Sequence, residues 1–422
     1  MYDTPPRKAW LILEDGAVVE GEGFGAGGTA YGELVFNTGM TGYQESLTDP
    51  SYHGQVLMFT YPLVGNYGVN EADWESGRVW PRAVVVREWC REPSHRASAM
   101  TLDAWLQDEG VPGVSGVDTR ALTLRTREKG CLRCFVTDDP DAVEHLRARV
   151  ASMPSVEADN LAGEASVERA ERYGRNDGGS LAGGASWDDG ARTVAVIDTG
   201  IKRNILRNLA RRFNVVRFPW DATPEQVRAV APDALFLANG PGDPAHPQIL
   251  ERTVPTIGVL SRELPTFGIC YGNQLIALAC GASTHKMKFG HRGANIPVRT
   301  EGAHDVRITS QNHGFAVDAD SVAGTGLRIR ERCPNDGTVE ALEHTVLPVF
   351  TTQYHPEAAP GPWDSGHLFD AFLRLVEEVH AGRFEAGRFP DLTGQHDPPV
   401  RLVRSAPHAD PAARAAPPGG DA

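Results

Sequence analysis

The amino-acid sequence predicts an α/β fold, in which a C-terminal open, mostly parallel, doubly wound sheet follows an N-terminal β/β/α domain. From Thr193 onward, short apolar runs rich in β-branched residues alternate with helical stretches, a pattern typical of parallel strands covered by helices on both faces. Residues 1–150 instead mix short strands with two helices. A chain of 422 residues also exceeds the usual size of one compact domain. Two domains are therefore expected.

The N-terminal domain is expected to span residues 1–150 and to begin with a hairpin. Asp15-Gly16 lies between two apolar runs, and Asp-Gly is a favoured turn between paired strands. Thr101 and Asp118 each precede a helical pattern and can accept hydrogen bonds from its first N–H groups. A glycine follows each pattern and is expected to end the helix.

The C-terminal domain is expected to span residues 191–382, after a linker at 151–190 that is rich in Gly, Ser, Asp and Glu. Its first strands are predicted at 194–197, 215–218, 235–238 and 266–269, and the helices between them at 205–209, 224–230 and 249–260. A last helix has apolar positions 368, 369, 372, 373, 376 and 379, a stripe at helical spacing. Residues 383–422, rich in Pro, Ala and Arg, are predicted to be disordered.

Composition narrows the class of protein. Asp and Glu number 55 against 41 Lys and Arg, for a formal net charge of −14, whereas nucleic-acid-binding proteins usually carry a basic surface. No apolar run approaches the roughly 20 residues that span a bilayer, and no secretory signal is recognisable. Six scattered cysteines then favour a reducing compartment over a disulfide framework. We therefore expect a cytoplasmic protein that binds neither nucleic acid nor membrane.

The strongest chemical signal is the sequence Gly268-Ile269-Cys270-Tyr271-Gly272. A glycine–x–nucleophile–x–glycine sequence between a strand and a helix is typical of a nucleophile elbow, a sharp turn that exposes the central side chain. The N-terminus of the following helix favours a thiolate at Cys270. A buried structural cysteine in a tight turn is the alternative that this segment leaves open.

His355 and Glu357 are candidates for the partners that a cysteine nucleophile needs. They follow an apolar run at 346–350, close to the end of a predicted strand. An imidazole can accept the thiol proton and return it to a leaving amine, and a carboxylate can fix the tautomer of that imidazole. By itself His355-Pro356-Glu357 would suit a surface turn, so its value lies in the combination with Cys270.

A third signal is the segment 239–244, Asn-Gly-Pro-Gly-Asp-Pro, which directly follows a predicted strand. Its glycines, Gly240 and Gly242, allow backbone N–H groups to approach a substrate, and with the N–H of Tyr271 they can form an oxyanion hole. An ordinary Gly-Pro-Gly turn is the alternative. The segment is not a phosphate-binding loop, because no Gly-Lys-Ser/Thr follows it.

These three segments resemble the class I glutamine amidotransferase family, over about residues 192–380. In that family a thiolate attacks the side-chain amide of glutamine, ammonia leaves, and water releases glutamate from a thioester. The resemblance implies that Cys270 is the nucleophile, His355 the base and acid, and Glu357 the carboxylate that orients the imidazole.

The chain as a whole is similar to the small chain of carbamoyl-phosphate synthase. The segments that carry this similarity are 36–45, 47–52, 116–120, 202–206, 286–291 and 311–315. The resemblance implies that glutamine is held by Ser51, Gly240, Gly242, Tyr271, Gln274, Asn312, Gly314 and Phe315. It also implies that Tyr271 and Gly240 supply the oxyanion N–H groups. Many family members have Leu and His where this chain has Tyr271 and Asn273, and the change at Asn273 is expected to bear on glutamine affinity.

The resemblance further implies a heterodimer with a large chain, which makes carbamoyl phosphate from bicarbonate and two ATP for arginine and pyrimidine biosynthesis. ATP and a divalent metal are then expected on the large chain, and no cofactor in this one. No metal site is expected here, because Cys131 and Cys134 form a lone C-x-x-C without a second pair of ligands. The N-terminal domain is expected to dock on the large chain.

Three other hypotheses remain open. The domain would serve another synthase, such as those that make anthranilate, GMP or CTP, although the block at 37–45 argues against this. It would otherwise be a stand-alone Cys-His-Glu hydrolase that needs no partner, or a binding module without catalytic activity. The second domain argues against the stand-alone hydrolase, and the complete Cys-His-Glu set argues against the binding module.

Overall fold

The computed structural model describes residues 7–176, 178–181, 187–304 and 306–392. Its N-terminal half is a closed seven-stranded barrel in the order β1-β2-β8-β6-β4-β3-β9, with a separate two-stranded ladder of β5 and β7. The strands are β1 (Lys8–Leu13), β2 (Val18–Gly25), β3 (Thr29–Asn37), β4 (Gln55–Phe59), β5 (Leu63–Val64), β6 (Ala83–Val85), β7 (Glu88–Trp89), β8 (Pro112–Ser115) and β9 (Leu132–Thr137). The helices are α1 (Tyr43–Leu47), α2 (Leu102–Asp108), α3 (Thr119–Lys129) and α4 (Val143–Arg149).

The local predictions for this half are confirmed. Strands β1 and β2 pair antiparallel across the turn at Asp15-Gly16. The hydroxyl of Thr101 accepts a hydrogen bond from the N–H of Ala104 at the start of α2, and the carboxylate of Asp118 caps α3 in the same way. These elements follow from local turn and capping chemistry, which explains why the sequence alone was sufficient to find them.

The segment predicted to be a linker, 151–190, contains regular structure in its described residues. Helix α5 (Leu161–Ala165) and strand β10 (Glu171–Tyr173) both lie within it. Strand β10 pairs antiparallel with β12 (Asn214–Phe218), at the edge of the C-terminal sheet. The first part of this segment lies beside Cys270. The domain boundaries at 150 and 190 stay predictions.

The C-terminal half is built on a ten-stranded sheet in the order β10-β12-β11-β13-β14-β19-β18-β17-β15-β16. The further strands are β11 (Thr193–Ile197), β13 (Ala234–Leu237), β14 (Thr266–Ile269), β15 (Thr284–Thr300), β16 (Val306–Val317), β17 (Leu327–Arg332), β18 (Val339–His344) and β19 (Val349–Thr352). Strands β12, β11, β13, β14 and β19 are parallel, and the others pair antiparallel. The four strands predicted from periodicity lie within one residue of β11, β12, β13 and β14.

Helices cover both faces of the parallel strands, as the α/β prediction requires. The remaining helices are α6 (Arg203–Ala210), α7 (Pro224–Arg228), α8 (Val254–Leu260), α9 (Tyr271–Ala279) and α10 (Leu368–His380). Apolar side chains of α6 and α10 pack into the core on one face, and those of α7, α8 and α9 into the core on the other. The predicted stripe on α10 packs into the first core. The fold class is confirmed, with an antiparallel extension of the sheet that the strand–helix alternation did not indicate.

The predicted disordered tail begins too early. Phe384 and Phe389 pack against the core beside α10, and Leu392 is buried there. Their apolar side chains bury more favourably than they hydrate, which outweighs the polar composition around them. Residues 393–422 lie outside the described residues. None of the described helices has both the length and the apolar composition needed to cross a bilayer.

Candidate active site

Two neighbouring parallel strands bring the predicted nucleophile and its histidine to one edge of the sheet. Strand β14 pairs with β19, and Ile269 lies opposite Thr352. Cys270 follows β14 directly, and its N–H donates to the carbonyl of Thr352 at 2.7 Å. His355 comes three residues after Thr352, so both side chains leave the carboxyl ends of adjacent strands. This edge is where open α/β sheets place their ligands.

Cys270 occupies a strained elbow between β14 and α9. Its φ is 55° and its ψ −101°, a backbone conformation that residues with a side chain rarely adopt. A Cβ at Gly268 would lie 2.7 Å from the carbonyl oxygen of Gly272, and a Cβ at Gly272 would lie 2.4 Å from that of Leu237. Only glycine fits on either side of the turn. The geometry is that of a nucleophile elbow.

His355 is held by a carboxylate and a lysine, all three buried. Its Nδ1 lies 2.7 Å from Oε1 of Glu357, and Nζ of Lys202 donates to the same oxygen at 2.8 Å. Nζ also donates to the carbonyl of Ala358 at 3.2 Å. The second ring nitrogen of His355, Nε2, has no hydrogen-bond partner although it is buried. Nδ1 therefore donates a hydrogen bond to the carboxylate of Glu357, and Nε2 is free to exchange a proton with a reacting group.

Two buried cations stabilise the carboxylate of Glu357, and Lys202 opposes the charge of the imidazolium. Burial opposes the imidazolium, but the carboxylate of Glu357 outweighs it and Cys270 acts in the same direction, so the pKa of His355 is raised to about 10. Burial also opposes the carboxylate, but the ammonium of Lys202 and the imidazolium outweigh it and lower the pKa of Glu357 to about 2. The pair is thus charged at neutral pH, and the imidazolium can deliver a proton.

This electrostatic arrangement makes a prediction for pH dependence. Glutamine hydrolysis is expected to lose activity on the alkaline side near pH 10, where His355 loses the proton for the leaving amine, and not near its ordinary pKa. The stabilisation from the raised pKa is complete below about 6.5 and is lost as pH rises toward 10. In Glu357→Gln the alkaline limb of kcat/KM, followed as glutamate release, should move down by more than about one pH unit. An unmoved limb would contradict the role of Glu357.

All eight residues predicted to hold glutamine line a single pocket together with Cys270. They are Ser51, Gly240, Gly242, Tyr271, Gln274, Asn312, Gly314 and Phe315. Ser51 comes from the barrel half, on a short turn after α1, and the others from loops and strands of the sheet half. Val156, Glu157 and Leu161 of the predicted linker also line the pocket. His355 and Glu357 are not among its lining residues.

Comparison with known proteins identifies the family. A model of the carbamoyl-phosphate synthase small chain matches residues 11–136, and a model of the class-I glutamine amidotransferases matches 195–375. The carbamoyl phosphate synthase small chain of Methanopyrus kandleri is 45% identical over 376 residues, which cover 88% of this chain and 99% of that protein. The pyrimidine-specific small chain of Lactiplantibacillus plantarum is 45% identical over 373 residues, covering 87% and 96%. That of Bacillus subtilis is 43% identical over 374 residues, covering 88% and 96%.

The chain belongs to the carbamoyl-phosphate synthase small-chain family. Several residues that support the site have no local motif in the sequence that indicates such a role. Lys202 reaches Glu357 from the loop after β11, Asp49 accepts from the Asn312 amide at 2.8 Å, and the Gln353 amide lies 3.6 Å from the Cys270 sulfur. Lys202 lies in the segment 202–206, which carries part of the family resemblance. Its sequence position does not show that the side chain is buried, and only a buried lysine would be expected to pair with Glu357.

The two departures of this small chain from common family residues have separate effects. The hydroxyl of Tyr271 donates to the carbonyl of Asp243 at 3.1 Å, so it ties the elbow to the Gly-Pro-Gly segment. Asn273 donates to Oε1 of Gln353 at 2.9 Å and does not line the pocket. Asn273 therefore contacts the side chain that lies next to the Cys270 sulfur, and its effect on glutamine affinity stays a prediction.

The two cysteines of the C-x-x-C sequence lie on and beside strand β9 of the small-chain barrel. Burial raises the pKa of Cys131 to about 11 and raises that of Cys134 as well, which opposes the thiolate that a metal requires. The described residues contain two groups of possible metal ligands, both around His291. They are His291 with His313 and Glu340, and His291 with Cys333 and Asp336. His291 already bonds to Asp336 at 2.8 Å and to Gln311 at 2.9 Å.

Proposed function

We propose that this chain hydrolyses L-glutamine through a cysteinyl thioester and supplies ammonia to a carbamoyl-phosphate synthase large chain. One observation carries the proposal. Cys270 stands at the wall of a pocket that is also lined by every residue expected to hold glutamine. The relatives are named as small chains of carbamoyl phosphate synthase. These names support a large chain as the partner that uses the ammonia, together with bicarbonate, to make carbamoyl phosphate. The product would serve arginine and pyrimidine synthesis.

In the first half-reaction, the thiolate of Cys270 attacks the side-chain carbonyl carbon of glutamine. The developing oxyanion is stabilised by the N–H groups of Tyr271 and Gly240. Tyr271 is the first residue of α9, and the first N–H groups of a helix have no acceptor within it. When the C–N bond breaks, the imidazolium of His355 gives its proton to nitrogen, and ammonia leaves a thioester behind.

In the second half-reaction, His355 takes a proton from water and the hydroxide attacks the thioester carbon. The C–S bond breaks, the thiolate is restored beside the imidazolium, and glutamic acid leaves and ionises. Glu357 stays ionised through both halves, because its low pKa keeps it anionic while the imidazole changes charge. Lys202 supports that state.

Ammonia released into bulk water at neutral pH would become mostly ammonium, which is not a nucleophile. Coupling to a large chain therefore needs a protected passage. A second cavity borders His355 and is lined from both halves of the molecule, by Asn37, Thr41, Tyr52, Lys202, Gly293, Ala294 and Pro360 among others. We propose that the passage starts in this cavity, which His355 lines and which shares Asn312 with the glutamine pocket.

The test is glutamate release from glutamine by the purified chain, with and without the large chain encoded by the same organism. We expect glutamate to form in both cases, faster in the complex, and carbamoyl phosphate to form only in the complex with ATP and bicarbonate. Turnover of γ-glutamyl peptides by the chain alone would favour the stand-alone hydrolase. Glutamine binding without any glutamate would favour the binding module.

A further inference from the structure

A guanidinium that the family resemblance did not single out lines the same pocket as Cys270. Arg292, on strand β15, is 4% exposed and faces the pocket with Asn312, Gly314 and Phe315. Arginine remains protonated at all ordinary pH values. A positive charge is therefore buried in the wall of the glutamine pocket.

Arg292 has no acidic partner among the described residues. Its Nη1 donates to the carbonyl of Phe289 at 2.7 Å, and its Nε is buried without any hydrogen-bond partner. The acidic side chain in the same pocket, Glu157, is already engaged, since Lys286 Nζ lies 3.0 Å from it and also bonds to Glu33. The charge of Arg292 is thus left without compensation by a neighbouring carboxylate.

A buried charge without a partner is unfavourable, so a protein rarely keeps one unless something else neutralises it. Planar guanidinium groups are well suited to bind carboxylates, often through two parallel hydrogen bonds. A free amino acid carries one carboxylate next to its ammonium. The guanidinium of Arg292 therefore suits the α-carboxylate of glutamine: it has the opposite charge, it donates where the carboxylate accepts, and it lines the same pocket as Cys270.

Gly314, which lines the same pocket, lies directly against this guanidinium. A Cβ built on Gly314 would lie 3.0 Å from Nη2 of Arg292, closer than nearly all Cβ contacts in proteins. The guanidinium therefore lies against the backbone of the loop that lines the pocket. Any larger residue at 314 would push into the space between that backbone and the charge.

We propose that Arg292 binds the α-carboxylate of glutamine and so selects free α-amino acids over other primary amides. The inference rests on the proposed glutaminase function. It adds the residue that binds the end of glutamine opposite the reacting amide. The side-chain amide lies at Cys270 and the carboxylate at Arg292. No covalent step involves Arg292, which positions the substrate by charge and hydrogen bonding.

The experiment compares glutamine with 4-aminobutanamide, which has the same amide and amine but lacks the α-carboxylate. Ammonia release by the complex with the large chain is measured for both. The unaltered complex is expected to prefer glutamine in kcat/KM by about 100-fold or more, and Arg292→Met to lose about 100-fold for glutamine, mainly through KM. For 4-aminobutanamide, Arg292→Met should stay within about twofold of the unaltered complex, because the contact it removes is absent.

Arg292→Lys keeps the charge and should recover part of the loss. Arg127→Met is the matched control, since Arg127 is exposed beside Phe289 and lies outside the pocket, and it should leave both substrates unchanged. Equal losses for both substrates in Arg292→Met would overturn the proposal. Equal kcat/KM for the two substrates in the unaltered complex would overturn it without any variant. An unaltered complex that releases no ammonia from glutamine would instead overturn the proposed function.

Discussion

Replacing Cys270 by serine is expected to lower glutamine-driven carbamoyl phosphate synthesis by at least about 10³-fold, while synthesis from added ammonium survives. Serine keeps the size and the elbow conformation but is a far weaker nucleophile than a thiolate. The reconstituted pair of chains separates the two sources of nitrogen, because ammonium bypasses the glutamine pocket. Carbamoyl phosphate formation is measured with each source.

Cys280→Ser is the matched control for this prediction. Cys280 lies at the other end of α9, partly buried, and does not line the glutamine pocket. We expect both syntheses to be unchanged in this variant. If Cys270→Ser abolished ammonium-driven synthesis as well, the proposed division of labour between the chains would be wrong. If glutamine-driven synthesis persisted in Cys270→Ser, the nucleophile would lie elsewhere.

Replacing Lys202 by methionine is expected to damage both stability and activity. Lys202 is the cation that contacts the buried carboxylate of Glu357, and it also acts on the buried carboxylate of Glu75. Removing it takes away one of the two cations that contact Glu357, leaving the imidazolium of His355, and should cost about 3–5 kcal/mol in the free energy of unfolding at pH 7. The ammonium also bonds to the carbonyl of Ala358, so without it the carboxylate of Glu357 is held less firmly in position against His355, and kcat for glutamine should fall by about 10²-fold or more. Urea unfolding and glutamate release measure the two effects.

The double variant Lys202→Met/Glu357→Gln separates the two losses. Neutralising both partners removes the uncompensated charge, so most of the stability should return. Activity should stay low, because no carboxylate then orients His355. Recovery of activity together with stability would show that Lys202 acts only through folding. A single variant as stable as the unaltered protein would show that the Lys202–Glu357 contact is weaker than its burial indicates.

Elements governed by local rules could be predicted closely. The strands β11 to β14 and the apolar stripe of α10 follow from periodicity, and the elbow at Cys270 from two flanking glycines that sterics require. The antiparallel strands β15 to β18 were not predicted, because no α-helix separates them and the strand–helix alternation that indicated the other strands is missing. The predicted start of the disordered tail was wrong, because disorder was predicted from average composition. The burial of a few apolar side chains, among them Phe389, is enough to hold the first residues of this segment against the core.

By itself, the sequence determined the α/β class and the family to which the chain belongs, and it predicted the nucleophile with its histidine and carboxylate. Only the tertiary structure showed that Lys202 contacts Glu357, 155 positions away, and that Arg292 lines the pocket beside Cys270 without an acidic partner in the part of the chain that the structure describes. The physical reason is that turns, caps and periodic faces depend on residues a few positions apart. The balance of buried charges depends on which distant segments the folded chain brings within about 3 Å of each other.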